Sequence, residues 1–322
     1  MFRYAVKLAG MLAAACIPLS AQAAQAFPDK PVRLIVAYTP GGATDVIARI
    51  LAAQLTASWG QQVIVENRSG ASGMIGAEQV ARAKPDGYTL LLAYTPEVSI
   101  NKLVYKQMRY DPLKDLQPIA LVADAPLVLV SGPKLPVTTY ADLKRQGAQA
   151  PLVYGSPGTG GQQHLAGELL RVRSGMNLTH VPYRGTALAV ADLVGGQIDI
   201  FFATAPAIIG QIGAGKLHPL FIAGPRRQDV LPATPTAKEV GLDDFDISNW
   251  FGLFGPAGMP AALVDRISQD TAQALQSTDV KEKLQGQGVA ISYKPPQEFK
   301  AYIGAEMAKY GAIIKATGLE PQ

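Results

Sequence analysis

The chain carries one kind of passage twice: a short apolar strand that runs into a glycine-rich turn and then opens a helix. The first copy is Leu34-Ile-Val-Ala-Tyr-Thr-Pro-Gly-Gly-Ala-Thr-Asp45, continued by the helical pattern Val46 to Leu55. The second is Leu152-Val-Tyr-Gly-Ser-Pro-Gly-Thr-Gly-Gly161, continued by Gln162 to Leu170. A helix N-terminus presents unpaired backbone N–H groups and partial positive charge, so it attracts anions. Glycine lets the backbone come close to a ligand. Two such turns far apart in the chain predict two similar lobes with one small anion held between them.

The surrounding pattern fits that reading. Val32 to Ala37, Gln62 to Glu66 and Tyr88 to Ala93 are short, apolar and β-branched, and helical patterns separate them. This is the rhythm of an open parallel sheet with flanking helices. It restarts with strands at Leu152, Leu178, Ile198 and Leu217. Two long apolar stretches, Leu116 to Ser131 and Trp250 to Pro256, lie where the chain must pass between the lobes. Helices are expected over Ala261 to Gln276, Thr278 to Gln285 and Pro296 to Ala316. The predicted fold class is α/β, with two lobes built on two open, mostly parallel sheets joined by two crossing strands. The first lobe takes residues 27–123 and 251–322, the second residues 124–250. Ligands of open α/β sheets bind beyond the carboxyl ends of the strands, and both sheets would offer those ends to a shared cleft.

Residues 1–26 read as a signal peptide. Arg3 and Lys7 precede the apolar Leu8 to Ile17, and Ala21-Gln-Ala23 and Ala24-Gln-Ala26 fit the small-residue cleavage pattern. Cleavage after Ala26 removes Cys16, the one cysteine, so a mature chain in an oxidising compartment has nothing to mispair. A lipid anchor on Cys16 is the rival reading. The chain is expected to be exported and periplasmic. Its formal charge of +4 includes Arg3 and Lys7. That balance, with no basic run, argues against nucleic acid.

Eight motifs follow in order: Pro31-Val-Arg-Leu-Ile-Val36 with Pro40-Gly-Gly-Ala-Thr-Asp45; Val65-Glu-Asn-Arg68; Pro85-Asp-Gly-Tyr-Thr-Leu-Leu-Leu92; Tyr110-Asp-Pro-Leu-Lys-Asp115; His164-Leu-Ala-Gly-Glu-Leu169; His180-Val-Pro-Tyr-Arg-Gly185; Asp192-Leu-Val-Gly-Gly-Gln-Ile-Asp199; and Trp250-Phe-Gly-Leu-Phe-Gly-Pro-Ala-Gly258. With them the chain resembles the tripartite tricarboxylate transporter receptors, the periplasmic solute-binding proteins often called Bug proteins. The resemblance runs from about Phe27 to the C-terminus. It implies a type II-like periplasmic binding protein fold that closes on a small organic carboxylate. Backbone and hydroxyl groups of the two turns would hold the carboxylate with ordered water, and the loaded protein would dock onto a membrane permease. The family commonly has Phe-Asp after a Val-Asp strand; here the run is Phe202-Ala203-Thr204. Without that acid, an amino-acid ligand is disfavoured.

The expected ligand-binding residues follow from these turns and strand ends. In the first lobe they are Tyr38, Gly41, Gly42 and Thr44, then Tyr94 and Thr95 at the end of another strand. In the second they are Ser156, Gly158, Thr159, Gly160, Gly161, Gln162 and His164, the last more as support than as a contact. Tyr183 and Arg184 follow one strand, and Phe202, Ala203 and Thr204 end the next. Arg184 is either a bidentate partner for a second carboxylate or a solvated surface arginine. Asp45 in the first helical turn would repel an anion unless water bridges them. The loop from Glu66 through Gly73 is expected to brace the first lobe's edge. No catalytic residue, metal site or cofactor is expected. His164, His180 and His218 lack metal-ligand spacing, and the glycine turns complete neither a dinucleotide fingerprint nor a P-loop. A monomer is expected, with the carboxylate and the permease as its partners. The competing function is a sensing module that presents its closed form to a receptor kinase.

Overall fold

The structure is a computed structural model, and it describes residues 27–320. The leader segment, its cleavage site and Cys16 lie outside the described residues. The chain opens as β1 (Val32–Val36), α1 (Ala43–Trp59), β2 (Val63–Asn67), α2 (Met74–Ala81) and β3 (Thr89–Tyr94). A single π-turn at Pro96–Ile100 leads into the short α3 (Asn101–Val104). Then comes β4 (Leu116–Ser131), followed by α4 (Tyr140–Gly147), β5 (Leu152–Ser156), α5 (Gln162–Ser174), β6 (Leu178–Pro182) and α6 (Thr186–Val194). Next are β7 (Ile200–Thr204), α7 (Ala205–Gly213), β8 (His218–Ala223) and β9 (Ser248–Pro256). The chain closes with α8 (Ala261–Gln276), α9 (Thr278–Gly286), β10 (Ala290–Lys294) and α10 (Pro296–Thr317).

Pairing through β4 links all ten strands into one network, ordered β2-β1-β3-β9-β4-β7-β5-β6, with β8 and β10 also on β4. Leu116 to Pro126 of β4 pair with β9, and Leu127 to Ser131 pair with β7 and β8. One strand therefore belongs to both halves of the sheet, and the apolar run broken by Asp124-Ala-Pro126 is continuous. The chain returns at Ile247, whose carbonyl accepts the Leu127 N–H at 3.3 Å and whose N–H donates to Ala223 at 3.2 Å. The outer pairs β1–β2, β1–β3, β5–β6 and β5–β7 are parallel. The centre, where β4 meets its four partners, is antiparallel. That qualifies the expectation of a mostly parallel sheet: a strand and its return must run in opposite senses.

Both faces of the sheet are covered, which is why its strands read as continuous apolar runs. Along β1, Val32, Leu34 and Val36 point into a layer with Ile47, Leu51, Leu55 and Ile267, while Ile35 points into another with Val80, Trp250 and Phe299. A one-residue slip would exchange these two sets. In the other half, Leu129 and Phe202 face α5, whereas Val128, Phe201 and Ala203 face α6 and α7. The helix α10 straddles the halves. Its Phe299 and Ile303 join one core, and Tyr310 and Ile314 join the core around Tyr154 and Leu165. β10 and α4 had no clear signal, because their windows are short and half exposed.

Candidate functional site

The carboxyl ends of β1, β3, β5, β6 and β7 converge on one cavity of about 780 Å³, walled by both halves of the sheet. Tyr38 and Tyr94 form a floor with Phe251, the two tyrosine rings 4.7 Å apart at 63°. Gly42, Ala43 and Thr44 line it at the start of α1, and Gly185, Thr186 and Ala187 line it at the start of α6. Neither helix has a side-chain cap at its N-cap glycine. Their first N–H groups are thus left for a ligand or water. Arg184 is the one charged side chain among the described residues that lines the cavity.

The α1 turn is held by Asp45, which is 4% exposed. Its Oδ2 accepts the Gly41 N–H and Arg49 Nε, each at 3.0 Å. Its Oδ1 accepts Arg49 Nη2 and Asn67 Nδ2, each at 3.0 Å. Burial pushes the carboxyl up, but the Arg49 guanidinium, the Gly41 N–H and Asn67 together hold it below the usual carboxylate range. The charge expected to repel an anion is neutralised by Arg49, and neither residue is part of the cavity lining.

Ten of the expected residues line the cavity: Tyr38, Gly41, Gly42, Thr44, Tyr94, Gly158, Thr159, Tyr183, Arg184 and Thr204. The other eight stand behind its walls. Phe202 and Ala203 are each 0% exposed. Adjacent strand residues point to opposite faces, so Phe202 packs on Phe221 and Phe245 and Ala203 enters the α6–α7 layer. Thr95 turns its hydroxyl to accept the Trp250 N–H at 3.1 Å. Gln162 donates to the Ser248 carbonyl at 2.6 Å, so it ties α5 to β9. Gly160 and Gly161 lie outside the lining; Gly160 donates its N–H to His164 Nδ1 at 2.9 Å. Gly161 opens α5 without a side-chain cap as well, but of residues 160–164 only Gln163 lines the cavity, whereas α6 lines it with Gly185, Thr186 and Ala187 in succession.

Ser156 and His164 support the second turn. Ser156 donates to the Gly158 carbonyl at 2.8 Å and meets His180 Nε2 at 2.6 Å. The two histidine rings stack with centroids 3.9 Å apart. Burial lowers His164, and burial together with His164 lowers His180 to about 3. Both rings are neutral at pH 7. The unfolded chain binds their protons first, so the stability they contribute is complete above about pH 6.5 and is lost as pH falls toward 3. The His180→Gln variant is expected to show a shallower fall of Tm over that acid range than the wild type. Equal slopes would remove the histidine pair as a cause.

The Ser69–Gly73 loop, expected to brace an edge, lines the cavity instead. It follows the carboxyl end of β2 and precedes α2, so the rule that pointed to the other turns applied here too. Tyr105 and Asn249 also line the cavity; neither carries a local signal, since long-range packing brings them there. Tyr105 crosses between the halves: it donates to the Thr159 carbonyl at 2.9 Å and meets the Ser72 hydroxyl at 3.0 Å. A Cβ on Gly158 would lie 3.3 Å from Ser72 Oγ, and one on Gly185 would lie 3.4 Å from Thr39 Oγ1. The cavity's rims are thus in contact.

An open-sheet α/β protein with uncapped helix starts around a polar-rimmed cavity has the architecture of a solute-binding protein, and the proteins it resembles are of that class. The chain belongs to the tripartite tricarboxylate transporter receptor family, whose model matches residues 47–319. It is 35% identical to the protein BugT of Bordetella pertussis over 298 residues, 92% of this chain and 91% of BugT. The structure of R. palustris Rpa4515 with adipate superposes with a TM-score of 0.89 at 34% identity, covering 92% of this chain and 100% of that one. MatC from Rhodopseudomonas palustris with bound malate superposes with a TM-score of 0.82 at 28% identity, covering 89% and 100%. Members of this family are periplasmic solute-binding receptors, not enzymes.

Proposed function

We propose that this chain is exported to the periplasm, captures a small organic dicarboxylate between two closing lobes and delivers it to a permease of the tripartite tricarboxylate type. The lobes are residues 27–123 with 251–322, and residues 124–250. One observation carries the reading: the uncapped starts of α1 and α6 face one cavity, with Arg184 its one charged side chain among the described residues. One carboxylate sits at Gly42, Ala43 and Thr44, and the other at Arg184 and the start of α6. The ligand's body lies against Tyr38, Tyr94 and Phe251. No acid among the described residues lines the cavity, so a ligand ammonium would find no counterion. The likeness to proteins seen with adipate and with malate supports the ligand class.

Thermal stabilisation of the chain from Phe27 onward, measured against adipate, malate, aromatic dicarboxylates, amino acids and nucleotides, tests this. A dicarboxylate at a hundred times its Kd adds about 2.7 kcal/mol, which raises Tm by about 5 °C in a chain of this size. A response to nucleotides alone, or to none of the panel after unfolding and refolding, would sink the reading. Thr204→Asp sharpens the test. Thr204 lines the cavity and occupies the N-cap position of α7 without a side-chain capping bond, a position where aspartate is well accommodated. The variant is expected to lose dicarboxylate stabilisation and gain stabilisation by an amino acid.

A further inference from the structure

Behind the aromatic floor lies a carboxyl group that ligand capture leaves unused. Glu97 is 0% exposed and sits in the π-turn after β3. Its Oε1 accepts the Tyr94 N–H at 3.0 Å, and its Oε2 lies 2.7 Å from the Tyr38 hydroxyl. That same hydroxyl lies 3.2 Å from the Ser72 carbonyl oxygen. A tyrosine has one hydrogen to give. If Glu97 is ionised, the hydrogen goes to the carboxylate, and the Tyr38–Ser72 contact is two oxygens with no hydrogen between them. If Glu97 is protonated, it donates to Tyr38, Tyr38 donates to Ser72, and both contacts are hydrogen bonds. Burial favours the same state: it pushes the carboxyl up to about 8 against the lowering effects of Tyr38 and the Tyr94 N–H.

Ser72 connects this acid to the closing contact. Its backbone is held in the left-handed region at φ 50°. Its hydroxyl meets Tyr105, which reaches across to Thr159. The neighbouring Gly73 leaves no slack, since a Cβ there would lie 2.5 Å from Tyr38 Oη and 3.1 Å from Glu97 Oε2.

We propose, on the reading that this cavity closes on a small carboxylate, that Glu97 is a positioning acid. Held protonated beneath the floor, it sets the Tyr38–Ser72–Tyr105–Thr159 chain that closes the cleft, and its ionisation weakens ligand binding. Ionisation acts twice. It draws the Tyr38 hydrogen away from Ser72, and it places a negative charge beneath an anion site. The other titratable groups facing Glu97 are Tyr38, Tyr94 and Tyr110, whose hydroxyl donates to the Glu97 carbonyl at 2.6 Å. Burial raises all three, so they stay neutral through the range that matters. Charged groups on the elements packed around the turn are engaged elsewhere: Lys102 with Asp111 at 2.7 Å, Glu78 with Arg82 at 3.0 Å and Lys309 with Glu306 at 2.7 Å.

The test is calorimetric titration of adipate into the wild type and Glu97→Gln from pH 6 to 9. Glutamine keeps a donor for Tyr38 and an acceptor for the Tyr94 N–H but has no proton to lose. Wild-type affinity is expected to hold from pH 6 to 7 and fall about tenfold by pH 9, where about a tenth of the chains keep the proton. Glu97→Gln is expected to stay at the wild type's neutral-pH affinity throughout. A pH slope shared by both proteins overturns the proposal. An infrared difference spectrum of the two ligand-free proteins reads the proton directly. A protonated-carboxyl band present only in the wild type supports the assignment, and no such band overturns it. If neither protein takes up adipate or another dicarboxylate, the functional reading falls and the coupling falls with it, while the infrared band still decides the protonation.

Discussion

Adipate affinity is expected to fall about tenfold to thirtyfold when Arg184 is replaced by alanine, whereas a monocarboxylate of the same length loses less than about threefold. A hydrogen bond to a charged partner contributes about 1.5–3 kcal/mol, and each 1.4 kcal/mol is about tenfold in Kd. The lower part of that range applies because Arg184 is exposed, so solvent and salt screen its charge. The asymmetry between ligands is the informative part. On the proposed reading a monocarboxylate would be held at the start of α1, which the substitution does not touch. Arg184→Lys is expected to restore only part of the loss, since an ammonium cannot make the two parallel bonds of a guanidinium. The melting temperature without ligand is expected to stay close to that of the wild type. Equal losses for the two ligand types, measured by calorimetry at one salt concentration, would place Arg184 outside the site and leave α6 without its role.

The strand-to-turn-to-helix repeats made the α1 side legible, because a rule about strand ends and helix starts needs only local sequence. The same rule reached Tyr94, Thr159 and Thr204. It failed for Phe202 and Ala203, where one step along a strand decides between cavity and core, and the pleat phase at a strand's end is not written locally. It failed for Gly160, Gly161 and Gln162 because the turn before α5 is tied by its own His164, four residues on from Gly160, and by Tyr310, which packing brings in from α10. The role of α6 was half visible: Tyr183 and Arg184 stood out as a turn, but the glycine opening the next helix did not form a double-glycine pattern. Glu97 had no signal at all. A glutamate after a strand reads as a solvated charge, and only the closure of Tyr38, Tyr94 and Tyr110 around it removes the water. The fold was more legible than the site for the same reason: periodicity and apolar runs report burial, whereas cavity lining depends on which buried backbone the long strand β4 brings alongside which turn.

Asp45→Asn is expected to weaken ligand binding about tenfold, although it removes a negative charge from the first turn of the helix that is to hold an anion. Charge counting alone gives the opposite sign, because a carboxylate near the anion should repel it. The geometry decides between the two. Both Asp45 oxygens are engaged, by the Gly41 N–H, by two Arg49 nitrogens and by Asn67, which also donates to the Tyr38 carbonyl at 3.0 Å. Arg49 cancels the charge, so the repulsion to be relieved is small. What the carboxylate supplies is four acceptor contacts that shape residues 38–42 and leave the next N–H groups facing the cavity. An asparagine has a single acceptor oxygen, so the amide must either abandon Gly41 or present its own NH2 to Arg49 or Asn67. Unpaired buried polar groups cost about 1–3 kcal/mol, and the loss falls where the ligand is to sit. Asp45→Ala removes every one of these contacts and is expected to lower stability by about 2–3 kcal/mol, a Tm drop of about 5 °C. The two substitutions, followed by adipate titration and thermal melts at pH 7, separate the alternatives: tighter binding by Asp45→Asn would mean that the carboxylate acts chiefly as a repelling charge, and weaker binding with a preserved Tm would show that it is there to shape the turn.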